Sequence, residues 1–194
     1  DTLETQHMQA VDLRSLCEQV LEQYLDAAAQ KSIDLGVEGS SVTVRGHALW
    51  LQELLGNLLN NALLYTPEEG MVTLRCGVLS LPQENTAHTT GNKASFSARQ
   101  HALATNSTVH RAFMEVEDNG PGIPAAERAH ALNRFYRLPG TKAEGTGLGL
   151  AIAQEIATRH RSELILSDGI PHADGAGCGL RVTLLFAPDL LLAQ

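Results

Sequence analysis

Apolar side chains recur at helical spacing in three stretches of the chain. In "VDLRSLCEQVLEQYLDAAAQKS", leucine, valine and tyrosine return every three or four positions, which predicts one amphipathic helix at the start of the domain. A longer helix is predicted from His47 to Leu64, where the leucines form a wide apolar face. A third helix is predicted to begin near Leu148, directly after a run of glycines.

Six shorter stretches have the composition of strands: "IDLGVE", "VTVRG", "MVTLRCGVL", "AFMEVED", "ELILSD" and "GLRVTLLF". In the last, Leu180, Val182 and Leu184 alternate with Arg181 and Thr183, which predicts a strand with one buried face. The glycine-rich "GIPHADGAGC" joins the last two strands. Together these elements predict an α+β fold, a two-layer α/β sandwich in which a mixed, mostly antiparallel sheet carries helices on one face.

Residues 80 to 111 interrupt this pattern. The segment "SLPQENTAHTTGNKASFSARQHALATNSTVHR" is rich in small and polar residues and has no sustained periodicity. We predict a long, disordered hairpin loop, because Phe96 is its only aromatic residue and little in it can anchor a core. Docking of a partner is the alternative interpretation of so long a connection.

Composition narrows the class of protein. With 194 residues, of which 43% are hydrophobic, the chain is long enough for one packed domain with a tail. Its formal net charge of -8 argues against nucleic acid as a partner, because nucleic-acid binding needs a basic surface. The chain has no run of about 18 apolar residues that would cross a membrane. Its three widely spaced cysteines, Cys17, Cys76 and Cys178, are expected to be reduced thiols.

The predicted helix from His47 to Leu64 carries the first candidate chemistry. Glu53, Asn57 and Asn61 are four residues apart and form one polar stripe opposite the leucine face. Asparagine is a middling helix former, so its repetition on one stripe needs a reason. A wet surface is one interpretation. The other is that the carboxamide oxygens enter a site and help to hold hydrated Mg²⁺, a hard ion that takes oxygen ligands.

The second motif is "VEDNGPGIP", residues 116 to 124, at the end of a predicted strand. Gly120 and Gly122 permit backbone torsions or close approaches that a Cβ would block. Ordinary turn chemistry accounts for this composition equally well. The functional interpretation is that Asp118 accepts a hydrogen bond from an exocyclic amine such as the adenine N6 group, while a flat base lies against the glycines.

The third motif is "GTGLGL", which leads directly into the third predicted helix. The backbone amides of Gly145, Thr146, Gly147, Leu148 and Gly149 can line a polyphosphate, and the helix N-terminus adds donors and partial positive charge. The spacing matches neither a P-loop nor the dinucleotide-binding pattern. A flexible loop or a crowded helix start is the structural alternative.

The order of these motifs resembles the catalytic ATP-binding domain of bacterial sensor histidine kinases, which has the Bergerat or GHKL fold of gyrase, Hsp90 and MutL. "NLLNNALLYTP" looks like the N box, "DNGPGIP" the G1 box, "RFYR" the F box and "GTGLGL" the G2 box. The resemblance covers residues 12 to 186. Within that family the chain looks most like membrane sensor kinases of the QseC and TctE type.

The resemblance implies roles for the residues around the base and the metal. Asn61 would coordinate Mg²⁺, Asn57 would lie beside the phosphates as part of the catalytic machinery, and Tyr65 would pack on the adenine. Asp118 would recognise the adenine amine, and the two glycines that follow it would shape the pocket. Stacking on Tyr65 would contribute about 1–3 kcal/mol, by analogy with base stacking on other aromatic side chains.

The resemblance also implies which residues bind the phosphates, at what we call the phosphate end of the site. Arg137, at the end of "RFYR", would bind the γ-phosphate and stabilise charge on the transferring group. Residues 138 to 147 would form the mobile ATP lid, in which Lys142 is a candidate phosphate contact. The amides from Gly145 to Gly149 would complete the phosphate site.

Several positions depart from related patterns. The hydrolytic relatives have a water-activating glutamate where this chain has Asn57, and an amide cannot act as that general base. Transfer to a protein side chain therefore fits better than efficient hydrolysis. Leu64 stands where many sensor kinases have lysine or arginine, so one phosphate contact is missing. Arg161 and Ser162 replace the glycines of the usual "HGG".

No histidine of the chain sits in the phosphoacceptor context H-E-x-x-[TS]-P. The resemblance therefore implies a piece of a longer kinase: residues 1–11 as a linker from the dimerisation and phosphoacceptor region, 12–188 as the catalytic domain and 189–194 as a tail. The implied partners are that dimerisation region and a response regulator. We expect a monomeric isolated domain, a homodimeric full-length protein and a cytoplasmic position in a bacterial inner-membrane protein.

Two other functions remain open at this point. A serine kinase of the anti-sigma type shares the fold and would phosphorylate a partner protein. Alternatively, the domain is a non-catalytic module that binds a partner, with its nucleotide structural or lost. Leu64 and the 80–111 insert favour the second alternative, whereas Asn61, Asp118 and Arg137 argue against it.

Overall fold

The computed structural model describes residues 8–82, 108–137, 146–173, 175 and 177–192. The helices are α1 (Leu13–Glu22), α2 (Leu25–Gln30), α3 (Ala48–Tyr65), α4 (Arg128–Ala131) and α5 (Gly149–Arg159). The strands are β1 (Gln9–Asp12), β2 (Asp34–Gly39), β3 (Thr43–Gly46), β4 (Met71–Pro82), β5 (Thr108–Asp118), β6 (Glu163–Pro171) and β7 (Cys178–Leu185). Short 3₁₀ turns occur at Ala125–Glu127 and Pro188–Leu190.

Five strands form the main sheet in the order β2-β4-β5-β7-β6. β2 pairs with β4 in parallel, and the other three pairings are antiparallel. A separate antiparallel pair joins β1 and β3. The predicted α+β class, with its mixed and mostly antiparallel sheet, is confirmed, and β6 and β7 form the hairpin predicted around the glycine-rich turn.

The three longest helices cover one face of the sheet and enclose the core. α3 lies centrally, because it contacts α1, α5 and β5. The leucines that the sequence places on its apolar face are all buried, and they pack with Val72, Leu74, Met114 and Leu184 of the sheet. The polar stripe of α3 is thereby left at the surface, where it is available to a ligand.

The other face of the sheet carries charge. Glu117 on β5 accepts hydrogen bonds from Arg75 on β4 and Arg181 on β7, and Arg75 also bonds Glu38 on β2. This charged ladder crosses four strands. It lies directly beside Asp118, which follows Glu117 and points to the opposite face of the strand.

The single helix predicted over residues 11 to 32 is wrong, because α1 and α2 are separated at Gln23 and Tyr24. The N–H groups of Gln23 and Tyr24 donate to carbonyls three residues back, which tightens and ends the first helix. The Tyr24 hydroxyl then donates to the Gly56 carbonyl of α3 at 3.1 Å. This tertiary contact leaves no trace in the helical periodicity.

The predicted chain boundaries also need correction. Residues 9 to 11, assigned to a linker, belong to β1, which pairs with β3. The start of the predicted tail belongs to the fold as well, since Leu190 is buried and the Leu192 N–H donates to the Thr43 carbonyl. Both errors have the same cause, because each segment is too short for its periodicity to be read.

The predicted 80–111 loop is wrong at both ends. β4 continues to Pro82, which pairs with Thr108 at the start of β5. The prediction of disorder for the rest of the segment lies outside the described residues, as do most of the linker and the end of the tail. Within the part of the chain that the structure describes, no helix is long and apolar enough to span a membrane.

Candidate functional site

Asp118 ends β5 and is almost enclosed, with 6% of its surface exposed. Its Oδ1 atom accepts the Gly120 N–H at 2.8 Å and the Leu180 N–H at 3.2 Å. Burial raises the pKa of Asp118, although these two donors favour the charged form. Since both bonds fall on Oδ1, the other carboxylate oxygen can accept from a ligand.

The two glycines after Asp118 lie in crowded surroundings. A Cβ on Gly120 would lie 3.0 Å from Asp118 Oδ1 and 3.2 Å from the Tyr65 carbonyl oxygen. Gly122 has φ +68°, and its Cβ would lie 2.4 Å from the Cys178 carbonyl oxygen. The structure thus brings Asp118, both glycines and the end of α3 at Tyr65 together, as the sequence predicts for one pocket.

Asn57 and Asn61, the two asparagines on the polar stripe of α3, are half-buried. The Asn57 side-chain amide donates to the Glu53 carbonyl at 2.9 Å, which leaves its oxygen and its second N–H for a ligand. Asn61 touches the first residue of α5, where a Cβ on Gly149 would lie 2.9 Å from its Nδ2 and 3.2 Å from its Oδ1. Without a side chain, Gly149 lets α5 begin against Asn61.

The start of α5 can receive an anion. Leu148 is the N-cap residue and makes no side-chain capping bond, so the first N–H groups of this eleven-residue helix are open to a ligand. Gly147 has φ +68°, and its Cβ would lie 2.8 Å from the Tyr136 carbonyl oxygen. The Gly147 carbonyl accepts the Phe135 N–H at 2.9 Å. The predicted F box and G2 box are therefore in direct contact.

The rest of the predicted phosphate end is at the surface. Phe135 is 73% exposed and has φ +64°, while Arg137 and Thr146 are also exposed. The described part of the chain does not include residues 138–145 of the predicted lid, among them Lys142 and Gly145.

Glu53 lines an open groove of about 530 Å³ between α3 and α5, together with Trp50, Phe135 and Leu148.

One contact of the site is not predicted by the sequence analysis. His172, in the turn between β6 and β7, has its Nε2 atom 2.7 Å from the Gly120 carbonyl oxygen. A carbonyl can only accept, so Nε2 carries the proton. The only signal was a histidine within a glycine-rich turn, which by itself has no specific chemistry.

The described residues contain no cluster of three histidine, cysteine, aspartate or glutamate side chains that could hold a metal. The side-chain oxygens present instead suit a metal ion that is bound partly by the protein and partly by the phosphates of a bound ligand. Mg²⁺ commonly takes one or two protein oxygens and otherwise phosphates and water. The half-buried Asn61 carboxamide, beside the anion-binding start of α5, fits that manner of binding.

Comparisons with known proteins agree with this geometry. Residues 46–189 match the family model of "Histidine kinase-, DNA gyrase B-, and HSP90-like ATPase". The sensor protein kinase PmrB of Pseudomonas aeruginosa is 35% identical over 175 residues, which cover 90% of this chain and 30% of PmrB. Sensor protein QseC of Salmonella typhi is 29% identical over 157 residues, covering 80% of this chain and 28% of QseC. The chain thus spans less than a third of these relatives.

Solved structures support the fold. The mycobacterial sensor histidine kinase MprB matches with a TM-score of 0.65 and 24% identity, over 93% of this chain and 99% of that one. The catalytic domain of histidine kinase ThkA matches with a TM-score of 0.66 and 18% identity, over 93% and 95%. The expected kinase-domain architecture is confirmed, and the comparisons favour it over the anti-sigma and non-catalytic alternatives. The chain belongs to the histidine kinase-, DNA gyrase B- and HSP90-like ATPase family, as an ATP-binding catalytic domain of the sensor histidine kinase type.

Proposed function

We propose that this chain binds ATP with Mg²⁺ and transfers the γ-phosphoryl group to a histidine on a dimerisation helix outside this chain. The observation that carries the proposal is the buried Asp118, whose Oδ1 is held by two backbone N–H groups while its other oxygen is left for the base. An acceptor in this place selects a ligand that presents a donor, as the N6 amine of adenine does.

The adenine lies, in this proposal, between Asp118 and the end of α3. Gly120 and Gly122 leave room for a flat base against the backbone, and Tyr65 packs on its ring. Burial lowers the local dielectric, so a hydrogen bond to the Asp118 carboxylate discriminates more strongly than it would in water. A base without an exocyclic donor would leave that oxygen unpartnered.

The phosphates extend towards the start of α5. The N–H groups at Gly147 and Gly149, together with Thr146 and Leu148, bind phosphate oxygens, and the helix dipole favours their negative charge. Arg137 binds the γ-phosphate. Lys142 and Gly145 of the lid also bind it. Asn61 contributes a carboxamide oxygen to Mg²⁺, which when bound neutralises charge on the phosphates.

Transfer is favoured over hydrolysis by the residue at position 57. The Asn57 carboxamide takes no proton from water near neutral pH, and it is turned with its nitrogen towards the Glu53 carbonyl. In this proposal Glu53, which lines the groove between α3 and α5, has a structural role. Asn57 therefore positions phosphate without activating water, and the nucleophile comes from the acceptor histidine.

The similarity to sensor protein kinases supports a proposal for the partners and location of the whole protein. We infer a longer homodimeric protein with a membrane anchor, in which this domain lies on the cytoplasmic side and meets its own acceptor helix. A response regulator aspartate then takes the phosphoryl group. Nucleic acid is not among the proposed partners, given the charge of -8.

Calorimetric titration of this chain with a non-hydrolysable ATP analogue, with and without Mg²⁺, tests the proposal. We expect binding that strengthens with Mg²⁺ and weakens about ten- to a hundredfold in Asp118→Asn, because a hydrogen bond to a charged group contributes about 1.5–3 kcal/mol. Asp26→Asn, at an exposed position on α2, is the matched control and should bind as the original chain does. Absence of binding at millimolar nucleotide would instead favour the non-catalytic module.

A further inference from the structure

His172 is held in one orientation by the turn that carries it. The backbone N–H of His172 donates to the Gly177 carbonyl at 2.9 Å, and the backbone carbonyl of His172 accepts the Gly175 N–H at 3.0 Å. A Cβ on Gly177 would lie 3.2 Å from His172 Nδ1 and 3.3 Å from Cε1, so the imidazole packs directly over that glycine. The ring is half-buried and its Nε2–H reaches the Gly120 carbonyl.

Gly120 is a flexible position that an external restraint can order. A Cβ there would be crowded by Asp118 Oδ1 at 3.0 Å and by the Tyr65 carbonyl oxygen at 3.2 Å. Glycine also has the widest backbone freedom, so ordering it costs more entropy than ordering any other residue. Its N–H fixes Asp118 and its carbonyl is fixed by His172, so both sides of Gly120 are bonded.

The surrounding hairpin reinforces this restraint. A Cβ on Gly169 would lie 2.7 Å from the Asp118 carbonyl oxygen, and one on Gly179 would lie 1.8 Å from the same atom. The β6–β7 hairpin thus packs backbone against backbone on the Asp118 loop. A side chain near its turn is well placed to act on that loop.

We propose that His172 is a positioning residue for base recognition: its Nε2–H bond orders Gly120, whose N–H holds Asp118 so that the second carboxylate oxygen faces the exocyclic amine of the base. The inference rests on the proposed binding of adenine at Asp118. It assigns to the β6–β7 turn a part in selecting adenine over purines that lack the amine.

The test compares two ligands that share all phosphates and differ at the base. Non-hydrolysable analogues of adenosine and inosine triphosphate are titrated into the chain, since inosine carries an oxygen in place of the N6 amine. In His172→Leu we expect the affinity for the adenosine analogue to fall about fivefold to tenfold, the value of one hydrogen bond. The affinity for the inosine analogue should stay within about twofold, so the discrimination ratio falls.

A conservative variant separates positioning from simple support of the turn. Glutamine can place its amide N–H near the position of Nε2, whereas asparagine reaches only near Nδ1. His172→Gln should therefore restore most of the discrimination, and His172→Asn should not. Thermal melting of each variant shows whether it folds, and if His172→Leu does not, the comparison of His172→Gln with His172→Asn stands in its place.

Each outcome identifies which idea fails. If the original chain does not prefer adenosine, or Asp118→Asn keeps the preference, the proposed function at Asp118 fails and the inference fails with it. If Asp118→Asn loses the preference but His172→Leu and His172→Asn retain it, adenine recognition stands and the role of His172 is wrong. Equal weakening of both ligands in the His172 variants also overturns the positioning role.

Discussion

The two ends of the candidate site are built differently. At the base end, Asp118 is buried and the glycines around it lie so close to other backbone atoms that a Cβ on Gly179 would be 1.8 Å from one of them. At the phosphate end, Phe135 is 73% exposed and Arg137 and Thr146 are at the surface. One end is enclosed before any ligand binds, and the other is open.

This difference implies that selection of the base and binding of the phosphates depend on different parts of the site. A rigid, enclosed acceptor loses little conformational freedom when a base arrives, so its hydrogen bond contributes fully to discrimination. An exposed side chain that becomes ordered on a ligand loses conformational freedom, which reduces its net contribution to binding. We therefore expect substitutions at the base end to act mainly on stability and specificity, and those at the phosphate end on binding alone.

The largest effect is expected for Gly179→Ala. Its Cβ would lie 1.8 Å from the Asp118 carbonyl oxygen and 2.5 Å from its carbonyl carbon, and neither backbone atom can move independently of the sheet. We expect the free energy of unfolding to fall by about 3 kcal/mol or more, at the upper end for overpacking. Urea denaturation measures it.

Gly36→Ala is the matched control for Gly179→Ala. Gly36 also lies in a strand of the main sheet, but a Cβ there meets nothing within 4 Å. Alanine also orders the unfolded chain more than glycine does, so stability should stay the same or rise by up to about 1 kcal/mol. A Gly179→Ala chain as stable as this control would show that the base end is not rigid.

The second effect concerns the charged ladder beneath the base end. Glu117 is buried between Arg75 and Arg181, and Glu117→Gln would remove the nearer of the two carboxylates that these arginines share, leaving Glu115 at 3.8 Å from each. We expect a loss of about 1–3 kcal/mol, below the cost of breaking a fully buried pair because both arginines are partly exposed. Denaturation near neutral pH measures the loss, and Glu18→Gln, in an exposed pair with Arg14, is the control.

The same carboxylate makes stability depend on acid pH. Burial alone would raise the pKa of Glu117, but the bonds from Arg181 and Arg75 outweigh it and hold the pKa below the ordinary 4.5. The unfolded chain therefore binds this proton more readily. The contribution of Glu117 is complete above pH 4.5 and is lost as the pH falls through the lower folded pKa. Glu117→Gln should flatten this part of the stability profile, and an unchanged slope would contradict the assignment.

The residues of the site could be predicted where their chemistry is specific. A carboxylate before two glycines at a strand end, and glycines before a helix, each restrict what can lie beside them, so the sequence predicts Asp118, Gly120 and Gly149 as candidate site residues. His172 could not be found in that way, because its role depends on where a hairpin packs. That packing joins residues that are far apart in the chain.

Prediction of the fold had the same limit: local patterns could be predicted, and contacts between distant residues could not. Long elements with clear periodicity, such as α3 and β5, were predicted within a few residues, because a buried face needs repeated apolar positions. The break at Tyr24 coincides with a contact to another helix, in which the Tyr24 hydroxyl donates to the Gly56 carbonyl. β1 is only four residues long and has no periodicity to detect.

The third effect, on the pH dependence of stability, is expected away from both ends of the candidate site, at the start of α3. The buried His160 ring accepts the His47 N–H at 3.1 Å with Nε2, so it must be neutral there. Burial lowers the pKa of His160 below its ordinary 6.5. Its contribution is therefore complete above pH 6.5 and is lost as the pH falls below that value, by about 1.4 kcal/mol for each tenfold loss of proton affinity on folding. His160→Gln should weaken the dependence of stability on pH between about 5 and 7, whereas substitution of exposed His130 should not.

The smallest effect on stability is expected for Gly149→Ala at the phosphate end. Its Cβ would meet the far end of the Asn61 side chain, which can rotate, and alanine favours helix by up to about 1 kcal/mol over glycine. The free energy of unfolding should therefore change by less than about 1 kcal/mol. The displaced Asn61 carboxamide should nevertheless reduce the gain in ATP-analogue affinity that Mg²⁺ provides, as Asn61→Ala should. Asn60→Ala, at the exposed neighbouring position, should leave that gain unchanged. A Gly149→Ala chain that unfolds, while Gly179→Ala does not, would reverse the assignment of the rigid and the open end.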